Sequence, residues 1–176
     1  MTTSAFNWLR LGLFVVLVTL SSSALAQNVR PSKKEPIRRG LQERWLATSN
    51  TALAITGDIK LSPTKLTMAR RDYPLTLVRD IDAQHLSDIG KSFASDHPTA
   101  ARLYKTRIPA KARLLNGNDI CGPWDANWLL AVNENNTDDN GPTLSLAFFS
   151  GDSEPHLDYE AIENTTNLCE TYGYSH

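Results

Sequence analysis

TALAITGDIKLSPTKLTMARRDYPLTLVRDI, residues 51–81, decides the fold class. Its apolar residues recur at alternate places: Leu53 and Ile55, Ile59 and Leu61, Leu66 and Met68, Leu75 and Leu77. A period of two sends successive side chains to opposite faces of a strand, one face inward and one outward. SPTK and RRDY are polar breaks of turn length, so the stretch predicts a meander of three short antiparallel strands. Gly57, inside the first run, marks a bulge or a bend where the strand changes direction.

The rhythm breaks at DAQHLSDIGKSFASDHPTAA, residues 82–101. Leu86, Ile89 and Phe93 are spaced three and four apart and Asp82 suits an N-cap, which predicts one short helix ending before Pro98. Its histidines, His85 and His97, read as polar surface residues. Strand pattern then resumes. ARLYKTRI alternates through Leu103 and less cleanly Ile108, KARLLNGND reaches a turn, and NWLLAV places Trp128, Leu130 and Val132 on one parity. TLSLAFF does the same with Leu144, Leu146 and Phe148, and LCETYGY closes the chain. The polar segment 133–142 between the two runs carries Asn140-Gly141, a pair suited to a tight hairpin turn. The expected fold is mainly β: a single antiparallel β-sheet domain, a small barrel or a sandwich, with one short helix and one disulfide.

The N-terminus sets the compartment. One positive charge at Arg10, the apolar run LGLFVVLVTL and the small residues Ala24 and Ala26 form an export signal over residues 1–26. The run is about half the length a membrane span needs, and three serines interrupt it. Residues 27–44 hold six basic and two acidic residues with little to bury, a flexible basic leader in which a short helix could form at the end. Without interleaved aromatics this leader makes a poor nucleic-acid site, and no nucleic-acid partner is expected. The β domain is taken as 45–176, periplasmic or secreted, with no membrane anchor once the signal is removed.

Export bears on the two cysteines. In an oxidising compartment Cys121 and Cys169 have one way to pair, closing a span of 48 residues. A reactive thiol would want a base nearby, and a metal site would need short-spaced ligands that His85, His97, His156 and His176 do not supply. No metal and no cofactor are expected.

Charge is divided unevenly along the chain. Residues 27–113 carry 17 Lys and Arg against eight Asp and Glu, whereas residues 114–176 carry 11 acids and no Lys or Arg. Two consequences are open: the halves fold together and neutralise one another, or an acidic C-terminal face attracts a basic partner.

The pieces AITGDIKLS, LLNGNDICG, LSLAFFSG and NLCETYGY, within residues 51–174, resemble a pattern found in small exported proteobacterial proteins of uncharacterised function. In that pattern an LLNGN turn leads into a first cysteine, a tryptophan-bearing strand and LSLAFFSG follow, and a second cysteine precedes an aromatic strand. The chain departs from it at Glu170, where glycine is expected, in its longer polar loop and in the DAQHLSDIGKSF insertion. The resemblance implies an exported β domain and no particular activity.

Chemical motifs are sparse. Gly151-Asp152-Ser153 lacks the N-terminal placement and the terminal DxxH of a GDS-type hydrolase, and no GxSxG elbow is present. NNTDDNG has acids but not the register of a calcium loop. Asp152, Glu154, Asp158, Glu160 and Glu163 form an acidic segment that serves as the candidate binding surface. The expected function is binding of a basic periplasmic partner such as a cell-wall hydrolase, with no catalytic residue named. The alternative is a carboxylate-dependent envelope hydrolase using the same segment.

Overall fold

The computed structural model describes residues 43–92, 98–135, 141–158 and 167–176. Among them are nine strands: β1 (Glu43–Ala47), β2 (Ile59–Ser62), β3 (Lys65–Met68), β4 (Arg71–Pro74), β5 (Thr76–Asp80), β6 (Pro98–Ile108), β7 (Ala126–Asn135), β8 (Pro142–Ser150) and β9 (Leu168–Ser175). All pair antiparallel in one sheet of order β4-β3-β2-β1-β9-β8-β7-β6-β5. The segment expected to be an export signal and nearly all of the expected basic leader lie outside the described residues; β1 takes in the leader's last two, Glu43 and Arg44.

The sheet order forces a shape. Laid flat, its first and last strands, β4 and β5, would stand about eight strand spacings apart, about 38 Å. Yet Leu75 alone separates them in sequence, and two residues reach at most about 7 Å. The sheet therefore curls until its ends meet, and β4 and β5 are two halves of one bent strand. The first half pairs with β3 (Leu66 opposite Tyr73) and the second with β6 (Leu77 opposite Tyr104). The Thr106 hydroxyl donates to the Pro74 carbonyl at 3.0 Å across the seam, and the Leu75 side chain is buried. Counting the bent strand once gives an eight-stave up-and-down barrel, a size whose interior side chains can fill. The choice between barrel and sandwich is thus made by one residue.

The long strands are buried on both faces. Tyr104, Leu129, Leu144, Leu146, Phe148, Tyr172 and Tyr174 point inward with Trp45, Ile59 and Leu66. Leu103, Trp128, Leu130, Val132, Ala147 and Phe149 point outward into a second core. That outer core is roofed by α2 (Ala83–Ser92) through Ile89 and by Leu157 after β8. The predicted parity sets therefore face opposite ways: Trp128, Leu130 and Val132 outward, Leu144, Leu146 and Phe148 inward. The uneven alternation of β6 has the same cause, since Leu103 belongs to the outer core and Ile108 to the inner one. In α2 the Asp82 carboxylate accepts from the His85 backbone N–H at 3.0 Å, as an N-cap does.

The quoted stretch differs from expectation at both ends. Leu53 and Ile55 lie in a second helix, α1 (Asn50–Ile55), rather than in a strand. Ser49 caps it by accepting from Ala52 N–H, and Ala52 is its buried residue while Leu53 is exposed. Six residues with two apolar positions two apart fit a strand template, but the cap and Gly57 end the segment as a helix. Gly57 adopts φ 62° and its N–H donates to Ala52 O at 2.7 Å, a helix-terminating geometry that admits glycine most readily. RRDY, read as a break, instead supplies the start of β4, Arg71 to Tyr73. The β3–β4 turn is Ala69-Arg70, both at positive φ (46° and 63°), without the glycine or asparagine that advertises such a hairpin.

Cys121 and Cys169 are joined, with Cα atoms 4.8 Å apart. Cys169 lies on β9, which is an interior strand of the sheet and not a fraying margin. Only the last residues of β9 pair with β1; at Gly173, Thr48 and Ser49 N–H groups both donate to its carbonyl as the chain turns away into α1. The bridge fastens the loop before β7 to the lower part of β9. That loop carries Ala112, Leu114 and Ile120 into the inner core and ties itself to α1 through Asn116 and Asn118, both donating to Ala54 O. It closes one end of the barrel.

Replacing both cysteines by serine should lower the free energy of unfolding by about 4 kcal/mol on the chain-entropy estimate, read as a lower urea midpoint. Burial raises the phenols of Tyr172 and Tyr174 above the usual tyrosine range, with neighbouring charge at Glu170 adding to the effect at Tyr172. The folded state then binds these protons more tightly than the unfolded chain. Their contribution is complete below about pH 10 and declines above it, by up to about 1.4 kcal/mol per pH unit per tyrosine. Urea midpoints at pH 7, 9 and 11 should be flat between the first two and fall at the third.

Candidate functional site

The predicted acidic segment follows β8 at the closed end of the barrel. Glu154 Oε1 receives Arg79 Nε at 2.8 Å. Asp152 Oδ1 accepts from Asn127 at 3.4 Å, and its carbonyl accepts from Lys105 Nζ at 3.2 Å. Lys105 also sits 3.9 Å above the Trp128 ring. Asp158 is exposed, and Glu160 and Glu163 lie outside the described residues. The segment is thus tied to cations of the basic half, and Arg107–Asp125 at 3.1 Å is another bond between the halves. These contacts match the neutralising consequence of the charge division.

The opposite end of the barrel holds a cleft lined by described residues. Along β8 the two ends are about 26 Å apart. A cleft of about 350 Å³ is lined there by Glu43 and Trp45 of β1, Thr99 of β6, Asn133 and Glu134 of β7, Pro142 of β8 and His176. Each is placed by a local feature of the sheet. Glu43 and Trp45 are two apart on β1 and share the inward face. A shift of register between Pro98 and Ala100 lifts Thr99 out of the ladder, and its hydroxyl donates to Asn133 O at 3.1 Å. His176 is held by its N–H to Pro142 O at 3.2 Å, and its ring stands edge-on to Trp45, centroids 5.3 Å apart at 88°.

Carboxylate pairing singles out this end. Asp58 is bound by Arg44 and by Ala47 N–H, Asp72 by Lys65 and Thr67, and Asp125 by Arg107 and Ala110 N–H. The Arg44 bond and the Ala47 N–H hold Asp58 below the usual carboxylate range, Lys65 and Thr67 do so for Asp72, and Ala110 N–H with Arg107 for Asp125. Asp80, Asp82, Asp88, Asp119, Asp152, Glu154, Asp158 and Glu170 also have partners. Among the described residues Glu43 and Glu134 have none, and both line the cleft. Trp45, only 5% exposed, carries a buried indole N–H that lacks a hydrogen-bond partner.

Among the described residues no three His, Cys, Asp or Glu side chains gather as metal ligands. No described helix is long and apolar enough to cross a membrane. The cleft was invisible in the sequence because its residues come from five separated places. No family model, curated protein or solved structure matches the chain.

Carboxylates without partners contribute little to folding. Glu43→Gln and Glu134→Gln should shift the unfolding free energy by no more than about 0.5 kcal/mol, whereas Asp58→Asn, which weakens two bonds, should lower the urea midpoint.

Proposed function

We propose that the chain is an exported, non-catalytic binding protein whose partner is basic, a cationic cell-wall hydrolase being one such partner. The observation that carries this reading is the barrel end at which the two unpartnered carboxylates of the described residues line one cleft. Mouths of β-barrels are concave, preformed and favoured as binding sites. Elsewhere the described acids are engaged by the protein's own cations, amides or backbone N–H groups, so among the described residues the carboxylates left for a basic partner are those at this end. Glu134 and His176 come from the acidic half of the sequence and Glu43 from the border of the basic leader. The disulfide fits a protein that works outside the reducing cytoplasm. The acidic segment considered for hydrolysis offers Glu154 already bound to Arg79, a poor start for acid–base work at that carboxylate.

The test is capture. Immobilised protein exposed to an envelope extract at low salt should retain a basic protein that elutes as salt rises, because screening weakens charge attraction between exposed groups. Retention of neutral or acidic proteins alone, or elution indifferent to salt, contradicts the reading.

A further inference from the structure

The closed end of the barrel presents apolar side chains to solvent: Trp124 is 67% exposed, Leu53 56% and Leu115 37%. They sit on segments bonded to one another. Asn116 and Asn118 donate to Ala54 O, beside Leu53, and Leu115 Cδ1 lies so close over Gly57 that a Cβ there would meet it at 2.9 Å. Ala69 N–H donates to Thr56 O at 3.2 Å, which brings the β3–β4 turn and Arg70 alongside. Ala110 N–H donates to Asp125 Oδ1 at 3.0 Å, which ties the residue after Trp124 to the residue before Lys111. The exposed indole stands on a fixed turn. Gly122 N–H donates to Asp119, Trp124 N–H donates to Cys121 O at 3.1 Å, and Cys121 is bridged to Cys169.

Cations accompany these side chains. Arg70, Lys111 and Arg113 are exposed and, among the described residues, have no carboxylate partner. On the loop that carries Lys111 and Arg113, Asp125 is bound by Arg107, which leaves Asp119 as the acid without a cation. Glu154 is bound by Arg79, Lys105 donates to the carbonyl of Asp152, and Glu170 lies opposite the inward-facing Phe148. Tryptophan and leucine beside free lysine and arginine are the groups that meet a bilayer interface: the indole settles at headgroup depth and the cations meet anionic headgroups. A nucleic acid answers the cations and the indole but not the leucines. We infer that the closed end docks on a lipid bilayer bearing anionic headgroups, with Trp124, Leu115 and Leu53 entering the interface and Lys111, Arg113 and Arg70 facing the phosphates. This is adsorption that salt reverses, not an anchor. Docked so, the chain holds the cleft at its other end, about 26 Å away along β8, off the membrane. The inference rests on this surface alone and is independent of the basic-partner reading.

Cosedimentation with vesicles tests this, using the chain from Gln27 onward, which contains every strand and helix described. One set of vesicles mixes phosphatidylglycerol and phosphatidylcholine in equal parts, and the other is phosphatidylcholine alone. At about 20 mM salt the partition coefficient on the anionic set should be at least about tenfold the larger, and it should fall at least about tenfold at about 0.5 M salt. The basic leader also attracts anionic lipid, so variants of the closed end decide. Lys111→Gln with Arg113→Gln should lower the coefficient about twentyfold and Trp124→Ser about tenfold. Because these side chains are exposed, the urea midpoints should stay unchanged. Glu43→Gln and Glu134→Gln, at the far end, should leave the coefficient within about twofold. Equal binding to both sets, no binding at all, or closed-end variants that bind as the wild type and so place the contact on the leader, overturns the inference. A dimer in sedimentation velocity that Trp124→Ser dissolves, with vesicles left unbound, gives the face to a second copy and overturns it too. None of these outcomes bears on capture of a basic protein.

Discussion

The bend at Leu75 is the constraint on which the remaining structure depends. Because β4 and β5 are one strand divided between two neighbours, the sheet has no choice but to close. Closure creates the interior that Trp45, Phe148, Tyr172 and Tyr174 fill, and it creates two ends with different fates. One end is closed by α1 and by the loop that Cys121 anchors to Cys169. The other is left as a mouth. A flat sheet of the same strands would have no interior and no cleft, and its inward-facing Glu43 would sit on an open surface.

Burial of a barrel wall on both faces has its own logic. The outer core under α2 and Leu157 lets β7 and β8 carry apolar residues on both faces, which is why NWLLAV and LSLAFF read as near-continuous hydrophobic runs. Strands exposed on one side, such as β2 and β3, keep the cleaner alternation of Ile59 with Lys60 and of Leu66 with Lys65 and Thr67. The outward side of those strands is a solvated charged face, where Arg44–Asp58 and Lys65–Asp72 pair at 2.9 and 2.8 Å. Such exposed pairs add little stability individually. Their effect is to occupy charge, so that the acids left over stand out.

Much of the fold was legible in the sequence. Period-two alternation announced the strands, Asp82 announced its helix, and two cysteines with a single way to pair announced their bridge. What escaped was information carried by tertiary context. Leu53 and Ile55 sit two apart whether in a strand or a short helix, and the choice falls to the Ser49 cap and to Gly57. Ala69-Arg70 turns tightly without turn residues, so RRDY looked like a break. Parity within NWLLAV marked a face without saying which core it served. The site was less legible than the fold. A run of acids in sequence drew attention to residues 152–163, but Arg79 and Lys105 approach the described part of that run from other strands. Glu43 and Glu134 are isolated in sequence and come to line one cleft only in the folded sheet, where β9 and β8 lie between their strands.

The measurement that tests closure most directly is a set of interstrand nuclear Overhauser contacts in solution. If β4 and β5 are one bent strand, Tyr73 and Pro74 show contacts both to Lys65 and Leu66 of β3 and to Thr106 of β6, while Leu46 shows contacts to Ser175. Contacts from β4 to β3 alone, with none reaching β6, would mean an open sheet and would contradict the barrel and its mouth together.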